Sequence, residues 1–259
     1  MKKVLYGILA VFLAATGVTA LYADDGYDFS RFLRESGDFV QQPGRWQGSD
    51  LLKLGILCGG TAALYQYDQD VRDNVKKNPN VKNDIAVRIG EQWGGYYVIP
   101  LSAIGFGTYG WLADDALSRK MGFETAQGVI YAEAISLVMK FSIGRARPFT
   151  NLGPHDYKSF SVFKGSFNSF PAGHVDAAFV LSTVIYRNTD SGVIKALAYV
   201  PAGLTVVSRI YRDIHWTSDC LFGAGIGYFV GNWVVDQHGK NESGIHVTSL
   251  YPPSVGMDF

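Results

Sequence analysis

The sequence predicts an all-α protein, a compact helical bundle folded as one domain. Three observations carry that expectation. Uncharged apolar runs at residues 54–67, 94–113, 196–208 and 221–235 have helix length, well beyond the about four to eight residues of an ordinary strand. Aromatic residues at 14%, together with 30 glycines, suit helices that meet closely at small side chains. A chain of 259 residues, 47% hydrophobic and 18% charged, is enough for one well-packed core and short for two.

Taken in order, residues 1–23 open on Met1-Lys2-Lys3 and continue as an uncharged run that stops before Asp24 and Asp25. This is the pattern of a secretory signal peptide, with cleavage after Ala20 or Ala23. An uncleaved anchor helix is the alternative, because about 20 apolar residues span a bilayer. Either way the single domain, residues 24–259, is expected to be exported, to the periplasm.

Residues 24–50 read as a polar lead-in with one short helix over 29–39. A helix is expected from Ser49, a good N-cap, to residue 67. The stretch 68–83 is too charged to be buried on this reading. A helical piece at 84–93 leads into the uncharged run 94–113, which holds Pro100 and five glycines and is closed by Asp114 and Asp115. The next helix is 124–144, and Arg147-Pro148 should end it, since the residue before a proline is pushed out of helical geometry. Residues 149–170 form a long loop carrying Phe149, Phe160, Phe163, Phe167 and Phe170, the profile of a functional lid. Helices follow at 175–186, 193–208 and 218–235, and the tail 239–259, with Pro252-Pro253, adds at most one extended strand.

Only the run 94–113 reaches the length of a membrane span, so a soluble, tightly packed globule is expected, with contact to a membrane surface left open. The chain has 23 basic and 23 acidic residues; removing Lys2 and Lys3 leaves 23 − 2 = 21 basic against 23 acidic. No excess positive field exists to draw in a polyanion, which argues against nucleic acid as a partner. An oxidising compartment would permit one disulfide between Cys58 and Cys220, but both lie in apolar stretches where free cysteine packs as a small hydrophobe.

Three stretches carry chemistry. Residues 208–219 hold Arg209, His215 and Asp219. His215 and Asp219 are four apart, so on a helix they share a face, and the carboxylate would take one ring proton and leave the other nitrogen as nucleophile or base. Arg209 would fork onto an oxyanion. Lys140 and Arg147 are seven apart, two helical turns, and would grip one phosphate if the helix persists; the alternative for Lys140 is a partner in Glu133. Pro171-Ala172-Gly173-His174 stands before a helix, where glycine admits close backbone approach and the first amides point at an anion.

Together, Lys140-x6-Arg147-Pro148, Pro171-x-Gly173-His174 and Ser208-Arg209-x5-His215-x3-Asp219 resemble the three-part signature of the type 2 phosphatidic acid phosphatase and vanadium haloperoxidase superfamily. The resemblance covers about residues 90–237 and rests on ten identities in order, with the signature spanning residues 140–219. It implies an all-helical bundle with its phosphate pocket at one end. It implies His215 as the nucleophile that forms a phosphohistidine, Asp219 as its orienting acid, and His174 as general acid and then base. Lys140, Arg147, Arg209, the amide of Gly173 and the backbone amide of Ala172 would bind phosphate, with no metal or other cofactor.

Ala172 departs from the pattern, which usually has serine there; losing one transition-state donor costs as much as about 10² to 10³ in rate. Ala172→Ser is accordingly expected to raise turnover. The leading expectation is a metal-independent phosphatase acting on phosphomonoesters or lipid (pyro)phosphates. The alternatives are a vanadate-dependent haloperoxidase, with vanadate as the cofactor in that case only, and a non-catalytic phosphate-binding envelope protein.

Overall fold

The computed structural model of the protein describes residues 26–78, 80–81, 84–95, 97–161 and 165–243, with only the backbone at 240–243. The expected leader, residues 1–23, lies outside the described residues, as do Phe163 and residues 244–259 of the tail. Among the described residues the regular structure is helical, with one isolated bridge between Arg145 and Tyr157.

In chain order the helices are α1 (Phe29–Gln41), α2 (Gly48–Tyr65), α3 (Asp68–Lys76), α4 (Ile85–Trp93), α5 (Val98–Leu112) and α6 (Ala116–Ile143). After the long loop come α7 (Gly173–Arg187), α8 (Gly192–Leu197), α9 (Val200–Tyr211) and α10 (Thr217–Ser243). α2 starts one residue before Ser49, because Gln47 and Asp50 form the capping box; the Gln47 amide donates to Asp50 Oδ2 at 3.1 Å. α6 starts eight residues earlier than expected, where the Asp115 side chain accepts from the Ser118 amide at 3.2 Å. The expected helix 193–208 is two pieces, with Pro201 in the first turn of α9. α10 runs on through residues 239–243, where an extended tail was expected.

α7 and α10 form the centre, and α6, α9 and α2 pack around them; α5 lies on α6 and α4 on α9. α10 reaches the backbone of α7 through glycines spaced by four: a Cβ on Gly223 would stand 2.7 Å from Ala172 O, and one on Gly227 2.1 Å from Asp176 O. The core between them is built from Tyr131, Val180, Val184, Val230, Trp233 and Val234.

At the far end of α10 a buried polar cluster docks α1. His238 lies between Glu35 Oε2 at 3.1 Å and Glu124 Oε1 at 3.2 Å, and Gln127 Nε2 donates to Glu35 at 2.8 Å. α1 thus turns Arg31 and Glu35 inward and leaves Leu33 and Val40 exposed.

Two expectations are corrected. The stretch judged too charged to be buried contains α3, and its first residue, Asp68, is only 1% exposed, because ion-pair and hydrogen-bond partners meet it inside the bundle. The apolar helices, in turn, are not covered as a soluble globule would cover them. Leu101, Trp111, Leu112, Val138, Val193 and Val200 are all exposed. Ala116–Ile143 and Gly192–Tyr211 are long and apolar enough to cross a membrane by length and composition; counting only uncharged runs missed both because each carries scattered charges. Both cysteines are free thiols; Cys220 is buried and Cys58 exposed on α2.

Candidate active site

The site forms where the chain leaves α6 and where it enters α7 and α10. α6 stops at Gly144, whose φ of 63° is left-handed and where a Cβ would stand 2.0 Å from Lys158 O. The helix therefore ends before Arg147, and the seven-residue spacing does not put Lys140 and Arg147 on one helical face as expected. Arg147 sits in extended backbone ahead of Pro148, and its Nε donates to Asn168 Oδ1 at 2.7 Å. The loop path, rather than a shared face, brings both cations to His174.

His174 is the second residue of α7. Burial, then the neighbouring charges of Arg209, His215, Arg147 and Lys140, hold its pKa well below the usual imidazole range. The ring is therefore neutral near pH 7. Gly173, just before it, keeps the main chain bare: Glu133 Oε1 and Lys140 Nζ each lie 2.9 Å from where a Cβ would stand. Glu133 therefore belongs to the site, and Asp176 lies behind it, buried and hydrogen-bonded to Ser136.

His215 lies in the turn between α9 and α10, ahead of Thr217, so it does not share a helical face with Asp219. Its Nδ1 lies 2.7 Å from the carbonyl oxygen of Ser169. A carbonyl only accepts, so Nδ1 carries the proton and Nε2 keeps its lone pair. Asp219 Oδ2 stands 3.8 Å from Nδ1, near enough to favour a ring cation and too far for a hydrogen bond. This corrects the expectation that Asp219 takes the ring proton itself. Asp219 instead accepts from Ser169 Oγ at 2.5 Å, the Trp216 amide at 3.0 Å and Arg145 Nη1 at 2.6 Å. Burial and the Arg147 charge bring the pKa of His215 down to about 4, with Asp219 pulling against them.

Arg209 is 4% exposed and donates to Ser208 Oγ at 3.1 Å. Ala172 is fully buried beside Val175 and Cys220, and its amide donates to Asp219 O at 3.2 Å. That donor is engaged within the fold, which removes Ala172 from the expected phosphate contacts. Among the described residues no group of three or more His, Cys, Asp or Glu side chains is placed to hold a metal ion.

Residues 124–243 match the PAP2 superfamily profile. The match spans 120 of the chain's 259 residues. The PAP2 signature residues fall inside it, and its helical architecture is shared with the crystal structure of a transmembrane PAP2-type phosphatidylglycerolphosphate phosphatase from Bacillus subtilis. That likeness has a TM-score of 0.50 at 19% identity, over 73% of this chain and 96% of that one, and shows the fold alone. Two curated proteins are similar in sequence. The lipid A 1-phosphatase of Porphyromonas gingivalis is 30% identical over 122 residues, 45% of this chain and 24% of that protein. The undecaprenyl-diphosphatase of Sulfolobus acidocaldarius is 26% identical over 193 residues, 71% of this chain and 85% of that protein.

Several residues around the PAP2 signature escaped sequence reasoning. Ser169 acts through its main-chain carbonyl, which no side-chain pattern announces. Asn168 and Arg145 sit in loop sequence, 21 and 74 residues from the Arg147 and Asp219 side chains they meet, and Asp68 is 77 residues from Arg145.

Proposed function

We propose that the protein is a membrane-embedded phosphatase of lipid phosphates that works through a phosphohistidine on His215, without a metal. The observation that supports this best is a neutral His215 with Nε2 unprotonated, sharing a site with His174 and the cations Lys140, Arg147 and Arg209. The phosphoryl group would be held by the three cations and the main chain at Gly173, which offset charge on its equatorial oxygens.

In the first step the Nε2 lone pair attacks phosphorus, the N–P bond forms and the bond to the leaving oxygen breaks. His174 takes up a proton when the anion offsets the surrounding cations, and passes it to that oxygen. In the second step His174 removes a proton from water, the water oxygen attacks phosphorus, and the N–P bond breaks to release inorganic phosphate.

The exposed apolar surface of α5, α6 and the α8–α9 run would lie in the bilayer, with an acyl or prenyl chain entering beside Phe149 and Phe160, which are 50% and 67% exposed. The relatives found are named as phosphatases of lipid substrates, which favours this reading over a vanadate-dependent haloperoxidase.

The test is phosphate release by the detergent-solubilised full chain, in EDTA, against His215→Ala. Substrates would be a lipid monophosphate, a prenyl diphosphate and a soluble aryl phosphate. EDTA-resistant release from a lipid substrate that disappears in the variant is expected. Release that persists in His215→Ala, or that EDTA abolishes, would sink the mechanism.

A further inference from the structure

Asp68 lies outside the residues that match the PAP2 superfamily, at the start of α3, yet it is sealed inside the site's supporting structure. Its Oδ1 accepts from the Ser218 amide at 2.9 Å, and its Oδ2 from Ser218 Oγ at 2.5 Å and Arg145 Nη2 at 2.7 Å. The same guanidinium gives Nη1 to Asp219 Oδ1 at 2.6 Å and to Ser218 Oγ at 2.8 Å. Arg145 also donates Nε to Pro154 O at 3.0 Å and faces the rings of Tyr65 and Trp216. Asp68, Arg145, Ser218, Asp219, Ser169 and His215 are each 2% exposed or less, so this chain of contacts runs buried from α3 to the imidazole.

The charge count gives Asp68 its role. Arg145 alone would cancel Asp219 and leave the ring of His215 facing a neutral pair. Burial raises the pKa of Asp68, while hydrogen bonds from Ser218 and Arg145 and the Arg145 charge pull it back; with Asp68 ionised, two carboxylates share one guanidinium and the group carries a net negative charge behind the ring. Attack through Nε2, with the Nδ1 proton retained, makes the imidazole cationic, and a buried charge this near is felt more strongly than in bulk water. Asp68 also fixes the first turn of α10, and with it Asp219 and the turn that holds His215.

We propose that Asp68 is a positioning residue of this site, the second carboxylate that orients Arg145 and Asp219 and leaves negative charge behind His215. This rests on the phosphohistidine reading for its effect on rate, but not for its effect on the ring. His215 faces Asp219 on one side and the cations Arg147 and Lys140 on the other, with the imidazole of His174 nearby, and Asp68→Asn leaves the charges of all of these residues as they are.

The experiment is Asp68→Asn in the full chain in detergent micelles, with two readouts. The first is the pH titration of His215 by NMR of the imidazole-labelled protein, which needs no turnover. Loss of the carboxylate is expected to move the midpoint of His215 to lower pH. The second is the kinetics of phosphate release, where kcat is expected to fall about tenfold or more with KM unchanged, and Asp68→Glu to recover part of it. An unmoved His215 midpoint overturns the proposal whether or not the protein is a phosphatase. A wild-type chain that releases no phosphate, with the midpoint shifted, overturns the phosphohistidine reading and leaves Asp68's role standing. Should Asp68→Asn fail to fold, Ser218→Ala breaks the hydroxyl link between Asp68 and α10 while keeping every charge. A fall in kcat at constant KM is then expected, and an unchanged kcat overturns the proposal.

Discussion

Glu35 Oε2 lies 3.1 Å from His238 Nε2, joining the first described helix to the last through a fully buried contact. Glu35 also accepts from Arg31 and Gln127, so one side chain satisfies three donors. Glu35→Ala would leave all three inside the bundle without that acceptor, a loss of about 3–5 kcal/mol on the scale of broken buried pairs. His238 is 21 residues beyond Thr217, about 30 Å along α10 from the site. The melting temperature followed by circular dichroism should drop by roughly 6–20 °C while kcat at low temperature holds. A matching loss of kcat would mean that the two ends of α10 are coupled.

Gly173→Ala places a methyl 2.9 Å from both Lys140 Nζ and Glu133 Oε1. Both are the far ends of flexible side chains, so the fold gives way there and the two groups are displaced. Little change in melting temperature is expected, with kcat/KM down about 10- to 100-fold through the loss of one charged contact to phosphate. If kcat/KM stays at the wild-type level, the Lys140 ammonium does not serve the substrate.

Anion binding should take up a proton. His174 is held neutral by burial and by the charges of Arg209, Arg147 and Lys140, and a bound dianion offsets those cations and raises its pKa. A group whose pKa is higher in the complex than in the free protein makes binding tighter as pH falls. Sulfate is the probe, because its own charge is fixed over this range. Calorimetry in buffers of different ionisation enthalpy should show uptake approaching one proton, absent in His174→Asn. Binding with no proton uptake would remove His174 from the acid–base role.

Ala172→Ser, expected from sequence to raise turnover, carries the opposite expectation once its surroundings are known. The methyl is buried beside Val175 and Cys220, and the amide is bonded to Asp219 O. A hydroxyl buried there without a partner costs about 1–3 kcal/mol, so the melting temperature should fall with no gain in rate. Higher turnover at an unchanged melting temperature would return Ala172 to the phosphate contacts.

The helical fold was legible because its apolar runs have helix length, and the signature was legible because ten residue types keep their spacing. What stayed hidden depends on contacts distant in sequence. Asp68 looked like solvent-exposed charge because Arg145 and Ser218, which neutralise and cap it, lie 77 and 150 residues away. The spacing of His215 and Asp219 suggested a direct bond, but α10 begins between them and turns the carboxylate toward Arg145 and Ser169. Lys140 and Arg147 do converge, although the helix that was to align them ends at Gly144.

The acceptor that fixes the tautomer of His215 is the carbonyl of Ser169, a group every amino acid brings to its position. No single codon change can delete it. Substitutions at position 169 would alter the hydroxyl given to Asp219 and leave the imidazole's partner in place. The nucleophile's state is thus inherited through the course of the loop, and a screen for inactivating mutations would find its support at the residues that shape that course rather than at the atom that makes the bond.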